Sequence, residues 1–303
     1  MRILLTGSSG FIGSAVLPYL TAAGHQVVRL VRPGSRSMPG YAGEVAWDPS
    51  SGVMEESRLE GFDAVIHLAG ENIGNHRWTE TQKRRLVDSR VRGTKLLSET
   101  LARLKSPPEV LVSASAVGYY PDRGEEWVNE GSPPGKGFLA DLVQQWEAAA
   151  AAALGGDIRV VQMRFGIVLG RSGGVLAKML TPFRFGLGGR IGSGRQYQSW
   201  IAMDDVVGAI RHILDHRDLS GPVNVTSPEP VTNSEFTETL GRVLSRPTLV
   251  PLPAFAARLA LGEMADDLLL KGARVRPSKL LDSQYPFRYP HLESALSYLL
   301  KKG

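Results

Sequence analysis

Residues 2–13 read Arg2-Ile3-Leu4-Leu5-Thr6-Gly7-Ser8-Ser9-Gly10-Phe11-Ile12-Gly13. A short apolar strand runs straight into a glycine-spaced turn. The turn opens an apolar helix, predicted from Phe11 to Ala23. A Rossmann-type βαβ unit that binds a dinucleotide begins in this order. Gly7 lets the chain turn with positive φ, Gly10 lets backbone approach a pyrophosphate, and Gly13 lets the helix pack close to the strand. The free N–H groups and positive dipole end of the helix then face the phosphates. The spacing is GxxGxxG rather than GxGxxG. A glycine triplet alone says little; its place between a strand and a helix gives it weight. A tight turn without a ligand is the alternative.

Outward from this turn, strand and helix signals alternate. Gly24 ends the first helix, as a left-handed residue past a C-terminus does. Gln26–Val31 is β-branched and predicts the second strand. The loop-like segment from Pro33 to Gly61 has a short strand near Val45–Trp47. Asp63–Leu68 predicts a buried parallel strand. Thr79 to about Leu104 reads as one long helix, with Thr79 as N-cap and Gln82 at capping-box spacing. Strand Glu109–Ser113, helix Phe138–Leu154 and strand Ile158–Phe165 follow. This order predicts an α/β fold with a Rossmann-type, doubly wound parallel sheet. After Gly166, glycines crowd a loop that also holds Arg190, Arg195 and Gln196. Helix Asp204–Leu214 and strand Pro222–Val225 come next. The expected division is residues 1–170 as the dinucleotide-binding domain, with 203–226 returning to it. Residues 171–202 and 227–303 form a smaller, interleaved C-terminal α/β lobe.

The 303 residues suffice for one large α/β domain or two coupled ones. An apolar share of 43% with 21% charged residues is that of an ordinary soluble globular protein. No apolar run reaches the length of a membrane span, and no targeting peptide is visible. The chain has no cysteine, which excludes disulfides, thiolate metal sites and a cysteine nucleophile and fits a reducing cytoplasm. The net charge of +5 is modest. Lys83-Arg84-Arg85, Arg90, Arg92 and Lys95 lie on a predicted helix without any nucleic-acid motif or interleaved aromatics. The expected partner is a small molecule, with no nucleic acid and no membrane. The location expected is cytoplasmic.

The end of the second strand selects the cofactor. A carboxylate there would bind the ribose hydroxyls of NAD, and a cation would accept the extra phosphate of NADP. The chain reads Val31-Arg32 there, with no acid before Glu44. Arg32 is therefore read as the 2′-phosphate partner and NADP(H) as the cofactor; an exposed loop arginine is the alternative. Ser113 and Ser115 close another strand, with Tyr119 and Tyr120 just beyond. A serine hydroxyl there can orient a substrate carbonyl or hydroxyl, and a tyrosine can exchange a proton with it. Ser113 is equally well read as capping a turn. His67 reads as a packed strand-end residue. His212 and His216 lack a metalloprotease glutamate and read as a solvent-facing helix. Asp204 and Asp205 read as a helix N-cap and first-turn charge. No metal site is expected.

TGSSGFIG (6–13), DAVIHLAG (63–70), a strand ending in SASA and SWIAMDDVV (199–207) together resemble the extended short-chain dehydrogenase/reductases. More closely, the chain resembles an atypical subgroup, the epimerase family proteins, also called nucleoside-diphosphate-sugar epimerase-like. RWTETQKRRLVDSR (77–90), FLADLVQQWEAAA (138–150), PFRFGLGGRIGSGRQYQSWI (182–201) and RPTLVPLPAFAARLALGEMA (246–265) carry that likeness over essentially the full length. The last lies in the short C-terminal domain of unknown function typical of the subgroup. The resemblance implies an NADP(H)-binding fold in which Gly7, Gly10, Phe11, Ile12 and Gly13 line the pyrophosphate. It places Arg32 at the 2′-phosphate, Leu68, Ala69 and Gly70 beside the adenosine, Arg90 near the cofactor and Arg164 at the nicotinamide half. Ser115 matches the family's active-site serine.

The resemblance also exposes a departure. Family enzymes use a tyrosine with a lysine four residues later. Phe138 and Leu142 stand at those positions here, and Lys136 is too early to complete a pair. Tyr119, four residues after Ser115, is the substitute proton donor, with Arg123 as a candidate cationic neighbour. Two readings follow. One is an NADP(H)-dependent oxidoreductase or epimerase with a rearranged proton relay, acting on a small polar carbonyl or hydroxyl compound such as a nucleotide-sugar. The other is a non-catalytic NADP(H)-binding sensor or regulatory protein. By analogy with the fold, the Thr79–Leu104 helix offers a surface for a homodimer.

Overall fold

The computed structural model describes residues 1–35 and 41–300; residues 36–40 of the predicted loop lie outside them. Eight strands form the main sheet. In chain order they are β1 (Arg2–Thr6), β2 (Gln26–Val31), β3 (Gly43–Asp48), β4 (Val53–Met54), β5 (Ala64–His67), β6 (Val110–Ala116), β7 (Arg159–Phe165) and β8 (Gly221–Val225). Across the sheet the order is β8-β7-β6-β5-β1-β2-β3-β4. Every pairing is parallel except that of β3 with β4. The order of connection reverses at β1, which sits between β2 and β5. An open α/β sheet binds its ligand in the crevice outside such a reversal.

Alternation along β1 shows why the sheet is covered on both faces. Ile3 and Leu5 point into a core built with helices α1 (Gly13–Ala22) and α6 (Met203–Asp215). Leu4 points the other way, toward Leu97 and Leu101 of α3 (Gly93–Ala102). All three leucine and isoleucine side chains are fully buried. Each such burial stabilises by roughly 1.5–3 kcal/mol. A third core surrounds Trp200 and Phe236 and gathers α5 (Gly174–Arg184), α7 (Asn233–Leu244) and the final helix Leu292–Leu300. Thr232 caps α7 through a complete capping box with Glu235.

The predicted helix from Thr79 to Leu104 is not continuous. Helix α2 (Glu80–Val87) starts as expected, with the Thr79 hydroxyl accepting the Gln82 N–H. A π-helical turn at Asp88–Arg92 then interrupts it before α3. The wider turn rotates Arg90 inward, where only 9% of it remains exposed. The homodimer surface expected on one long helix is therefore two helix faces with different azimuths. The basic cluster divides in the same way, since Arg90 is buried while Arg92 pairs on the surface with Asp88.

Gly13 faces the glycine turn so closely that a Cβ there would overlap the Gly7 carbonyl oxygen. Gly155 has nothing within 4 Å of a Cβ. Gly13→Ala should therefore lose about 1–3 kcal/mol or more, because rigid backbone has to move. Gly155→Ala should stay within about 0.5 kcal/mol of the parent. Urea denaturation of both variants measures the difference; equal midpoints would refute the close-approach account.

Candidate active site

The glycine turn is built by contact between backbones. Gly7 has φ +68°, and a Cβ on it would stand 2.6 Å from the Leu68 carbonyl carbon. The Gly10 N–H closes the turn on the Gly7 carbonyl at 2.9 Å. Among the described residues, no protein acceptor meets the N–H groups of Phe11, Ile12 and Gly13. Unpaired amides at the start of α1 suit the pyrophosphate of a dinucleotide. Phe11 contributes through its backbone only. Its ring fits a notch left by Gly170, Gly173 and Gly174, where a Cβ would approach it to 2.7–2.9 Å.

Arg29, in the middle of β2, is 2% exposed. A cation there needs partners. Its Nε donates to Ser8 Oγ at 2.8 Å and its guanidinium meets Glu44 Oε1 at 2.5 Å. Glu44 lies directly opposite on β3. The turn is thus braced from the neighbouring strand, and the first acid after β2 is already neutralised. Arg32, at the end of β2, is exposed, and its side chain has no protein partner among the described residues.

The end of β5 is fixed by a buried polar chain. Thr6 Oγ1 accepts the N–H groups of Leu68 and Ala69, both at 3.1 Å. Its own hydrogen therefore goes to His67 Nδ1, 2.7 Å away. His67 Nε2 then donates to Thr94 Oγ1 at 2.9 Å, and Trp146 donates to the same oxygen. Burial pushes the His67 pKa down to about 4 and keeps the ring neutral. His67 is a packed strand-end residue, as its sequence context indicates. Gly70 lies against Arg90, whose guanidinium donates to the Glu71 carbonyl at 2.9 Å and stacks 5.1 Å over Trp146. Burial lowers the Arg90 pKa to about 10.

Across the crevice, Arg164 at the end of β7 gathers the second half of the site. It is 2% exposed. Glu147, from helix α4 (Phe138–Ala151), grips it with two hydrogen bonds of 2.7 and 2.8 Å. A third bond, 2.9 Å, runs to the Tyr120 hydroxyl, which in turn donates to Asn224 Oδ1 on β8 at 2.7 Å. Burial opposes the charge on Arg164, but the bonds to Glu147 and Tyr120 outweigh it and hold the pKa above the usual arginine value. Burial also pushes the Tyr120 pKa up, to about 12. The Tyr119 ring lies on the guanidinium, 3.5 Å from it, and the Tyr119 hydroxyl has no protein partner among the described residues. Ser115 donates to Glu147 Oε1 at 2.6 Å. A carboxylate only accepts, so Ser115 keeps its lone pairs, not its hydrogen, for anything else.

The sequence placed Arg164 at the nicotinamide half, and the structure shows its donors engaged with Glu147 and Tyr120. Glu147 and Asn224 carry no signal in the sequence, because they meet Arg164 and Tyr120 only through the fold. An arginine on an interior strand was the available signal, since it demands a carboxylate. Phe138 and Leu142 sit in an apolar cluster with Trp78 and Met264. Lys83 stands 5.2 Å over the Phe138 ring, but its ammonium is bound to Glu263 at 2.5 Å. Arg123 pairs with Glu126, not with Tyr119. Ser113 is fully buried inside β6 instead of capping a turn.

Other expectations are corrected by packing. The Gln196 side chain donates to the Ile191 and Leu269 carbonyls and holds the glycine-rich loop together; Arg190 and Arg195 remain exposed. His212 and His216 stack at 3.7 Å, half-buried, with His212 bonded to Ser283. Asp205 is 1% exposed and accepts the N–H groups of Arg288 and Tyr289 at 2.7 and 2.9 Å. It pins the chain there; Asp204 and Asp205 stand in the first turn of α6 as expected, but Ala202 and not an aspartate occupies the N-cap.

Comparison with known proteins agrees with this geometry. Residues 3–226 match the model of the NAD dependent epimerase/dehydratase family. The chain belongs to that family. Residues 252–299 match a further domain of unknown function, DUF1731. An epimerase family protein of Mycobacterium leprae is 44% identical over 296 residues, covering 98% of this chain and 94% of that one. Human epimerase family protein SDR39U1 is 38% identical over 303 residues, covering 99% and 100%. The crystal structure of the human protein with NADPH aligns with a TM-score of 0.89 at 38% identity, over 99% of both chains. A UDP-glucose 4-epimerase from Thermotoga maritima, 19% identical with a TM-score of 0.77, shares the fold.

Two variants test the polar networks. Glu147→Leu leaves Arg164 buried without its counter-charge and should lose about 3–5 kcal/mol. Adding Arg164→Met should recover most of that loss; additive losses in urea melts would refute the pairing. For His67 the folded pKa of about 4 lies below the ordinary 6.5. The unfolded chain therefore binds the proton first, and stability falls as pH drops from 6.5 toward 4. The contribution is about 3 kcal/mol. His67→Asn should flatten that limb of the stability–pH curve, and an unchanged slope would count against a neutral buried His67.

Proposed function

We propose that this chain is an NADP(H)-binding oxidoreductase or epimerase acting on a small polar carbonyl or hydroxyl compound, with a nucleotide-sugar as the leading class. The free amides at the start of α1, with the unpaired Arg32 beyond β2, carry the cofactor assignment. In this reading Gly7, Gly10 and the backbone of Phe11, Ile12 and Gly13 hold the pyrophosphate, and Arg32 takes the 2′-phosphate. Leu68, Ala69 and Gly70 flank the adenosine side, with Arg90 behind Gly70. The NADPH in the human structure supports the choice of cofactor. When bound, NADP(H) supplies hydride transfer.

The chain's own residues supply the proton. Tyr119 is the donor: its hydroxyl is unbonded, and the guanidinium under its ring is the cationic neighbour that the absent lysine would have been. Ser115, its hydrogen committed to Glu147, accepts a hydrogen bond from a substrate hydroxyl. Arg164 thus acts by positioning Tyr119, and Arg190 and Arg195 offer charge to an anionic substrate. A second reading, a non-catalytic NADP(H)-binding sensor, is favoured by the apolar packing of Phe138 and Leu142.

Arg32→Asp should weaken NADPH binding several-fold in a fluorescence titration; unchanged affinity would withdraw the 2′-phosphate role. Hydride transfer from NADPH, followed across carbonyl and nucleotide-sugar panels, separates the two readings. Turnover that drops by roughly 10²-fold or more in Tyr119→Phe is the expected result. Turnover that survives this change removes Tyr119 as donor. Tight NADPH binding with no turnover on any panel supports the sensor.

A further inference from the structure

The largest exposed apolar side chains are concentrated in one part of the molecule. Phe185 is 77% exposed, Leu249 84%, Phe255 73% and Leu259 79%. Leu187 and Val250 lie beside them, also exposed. None of the six belongs to any of the hydrophobic cores.

They share a strip because two segments run side by side. The Val250 N–H donates to the Gly188 carbonyl and the Leu252 N–H to that of Arg190. Gly186 lies 3.6 Å, by its would-be Cβ, from Pro247. A Cβ on Gly189 would overlap the Val250 carbonyl oxygen, and one on Gly188 would meet the Phe183 ring at 2.7 Å. The glycines thus take the inner side, and Phe185 and Leu187 are turned outward. Leu252 leads directly into helix α8 (Ala254–Leu261). Its Ala257 is buried, whereas Phe255 and Leu259, one turn apart, are exposed.

The unpaired charge beside the strip is positive: Glu263, Asp266 and Asp267, which follow α8, are paired with Lys83, Arg258 and Lys271. Residues 184–195 and 242–261 contain six arginines and no aspartate or glutamate. Arg242 and Arg258 have partners in Glu293 and Asp266. Arg184 and Arg246, at the edges of the strip, are exposed and have no partner among the described residues.

We propose that this strip is a docking surface for an anionic lipid bilayer, on which Phe185, Leu249, Phe255 and Leu259 enter the interfacial layer while Arg184 and Arg246 meet the headgroups. An apolar surface rimmed by unpaired cations is complementary to a layer of acyl chains beneath anionic groups. A second copy packed on the strip about a two-fold axis would bring the free arginines toward one another. A protein partner anchors its side chains in pockets, and the strip lines neither the cavity beside Asp205 and Tyr285 nor the one beside Phe11 and Tyr298. A bilayer needs no such pocket. The assignment departs from the expectation of no membrane partner. That expectation rested on the lack of a spanning segment, and no helix among the described residues is long and apolar enough to cross a membrane. Resting on a bilayer needs no span.

Co-sedimentation with vesicles tests this. The full chain should pellet with vesicles of phosphatidylglycerol and phosphatidylcholine, more weakly at high salt and hardly at all with phosphatidylcholine alone. Phe185→Ser combined with Leu249→Ser and Phe255→Ser should reduce binding roughly tenfold or more, and Arg184→Glu with Arg246→Glu should reduce it selectively at low salt. All five sites are exposed, so the variants should melt like the parent and keep NADPH affinity. No binding to anionic vesicles at low salt overturns the proposal, as does binding that the serine triple leaves unchanged. A concentration-dependent dimer in sedimentation equilibrium that the triple abolishes would assign the strip to a second copy instead.

Discussion

The first turn depends on three stretches of backbone coming closer than a methyl group allows. Gly7 touches the carbonyl end of β5, and Gly13 touches Gly7. Strand, helix and neighbouring strand are therefore locked in one geometry, with no side chain between them that could repack. Interiors are close-packed, so a contact this tight has only one arrangement. The unpaired amides at the start of α1 take their direction from it. Even the apparently separate polar chain from Thr6 through His67 to Thr94 serves it, because Thr6 Oγ1 holds the two N–H groups of the stretch on which Gly7 rests. The glycine turn and the strand end it rests on are rigid for reasons of volume first and hydrogen bonding second.

The opposite side of the crevice is organised by charge. Arg164 joins four elements: its own strand, α4 through Glu147, the end of β6 through Tyr119 and Tyr120, and β8 through Asn224. A buried ion pair contributes little net stability compared with well-packed apolar residues. What it does contribute is direction. Glu147 uses one oxygen for both Ser115 and the Arg164 Nε, so the serine hydrogen, the guanidinium plane and the tyrosine ring above it are set together. The same residues explain how an apolar Phe138 and Leu142 can stand where a tyrosine and lysine are expected while a phenol and a cation still meet nearby.

Much of this was legible in the sequence, and the exceptions share a cause. The strand–turn–helix at residues 2–22 was readable because its signals are local: an apolar run, glycine spacing and a helix-ending Gly24 with φ +84°. The parallel sheet followed from the alternation of elements. Boundaries moved by a few residues, and β6 ran on through Ser115 to Ala116. The π turn at Asp88–Arg92 was not readable, since the one weak helix former beside it, Gly93, does not by itself specify such a turn; there Arg90 finds Trp146 and the Glu71 carbonyl. Arg29 with Glu44 and Arg164 with Glu147 are likewise pairs made by the fold. The exposed strip was hidden for the opposite reason. Short apolar runs such as Thr248–Leu252 look the same in sequence whether they fill a core or face outward.

The two halves of the site differ in how they tolerate change, and this bears on the missing tyrosine–lysine pair. A steric lock fails when any one of its glycines gains a side chain. A charge network can be re-formed wherever a cation, its counter-ion and a phenol converge, because electrostatic attraction is less demanding of shape than backbone contact. Here the convergence lies at the ends of β6 and β7, next to the crevice that the sheet reversal creates, and not on α4. The glycine turn is thus kept by geometry that admits no substitute, while the phenol and cation that meet at Arg164 are free to move to another element, provided that a carboxylate such as Glu147 moves with them.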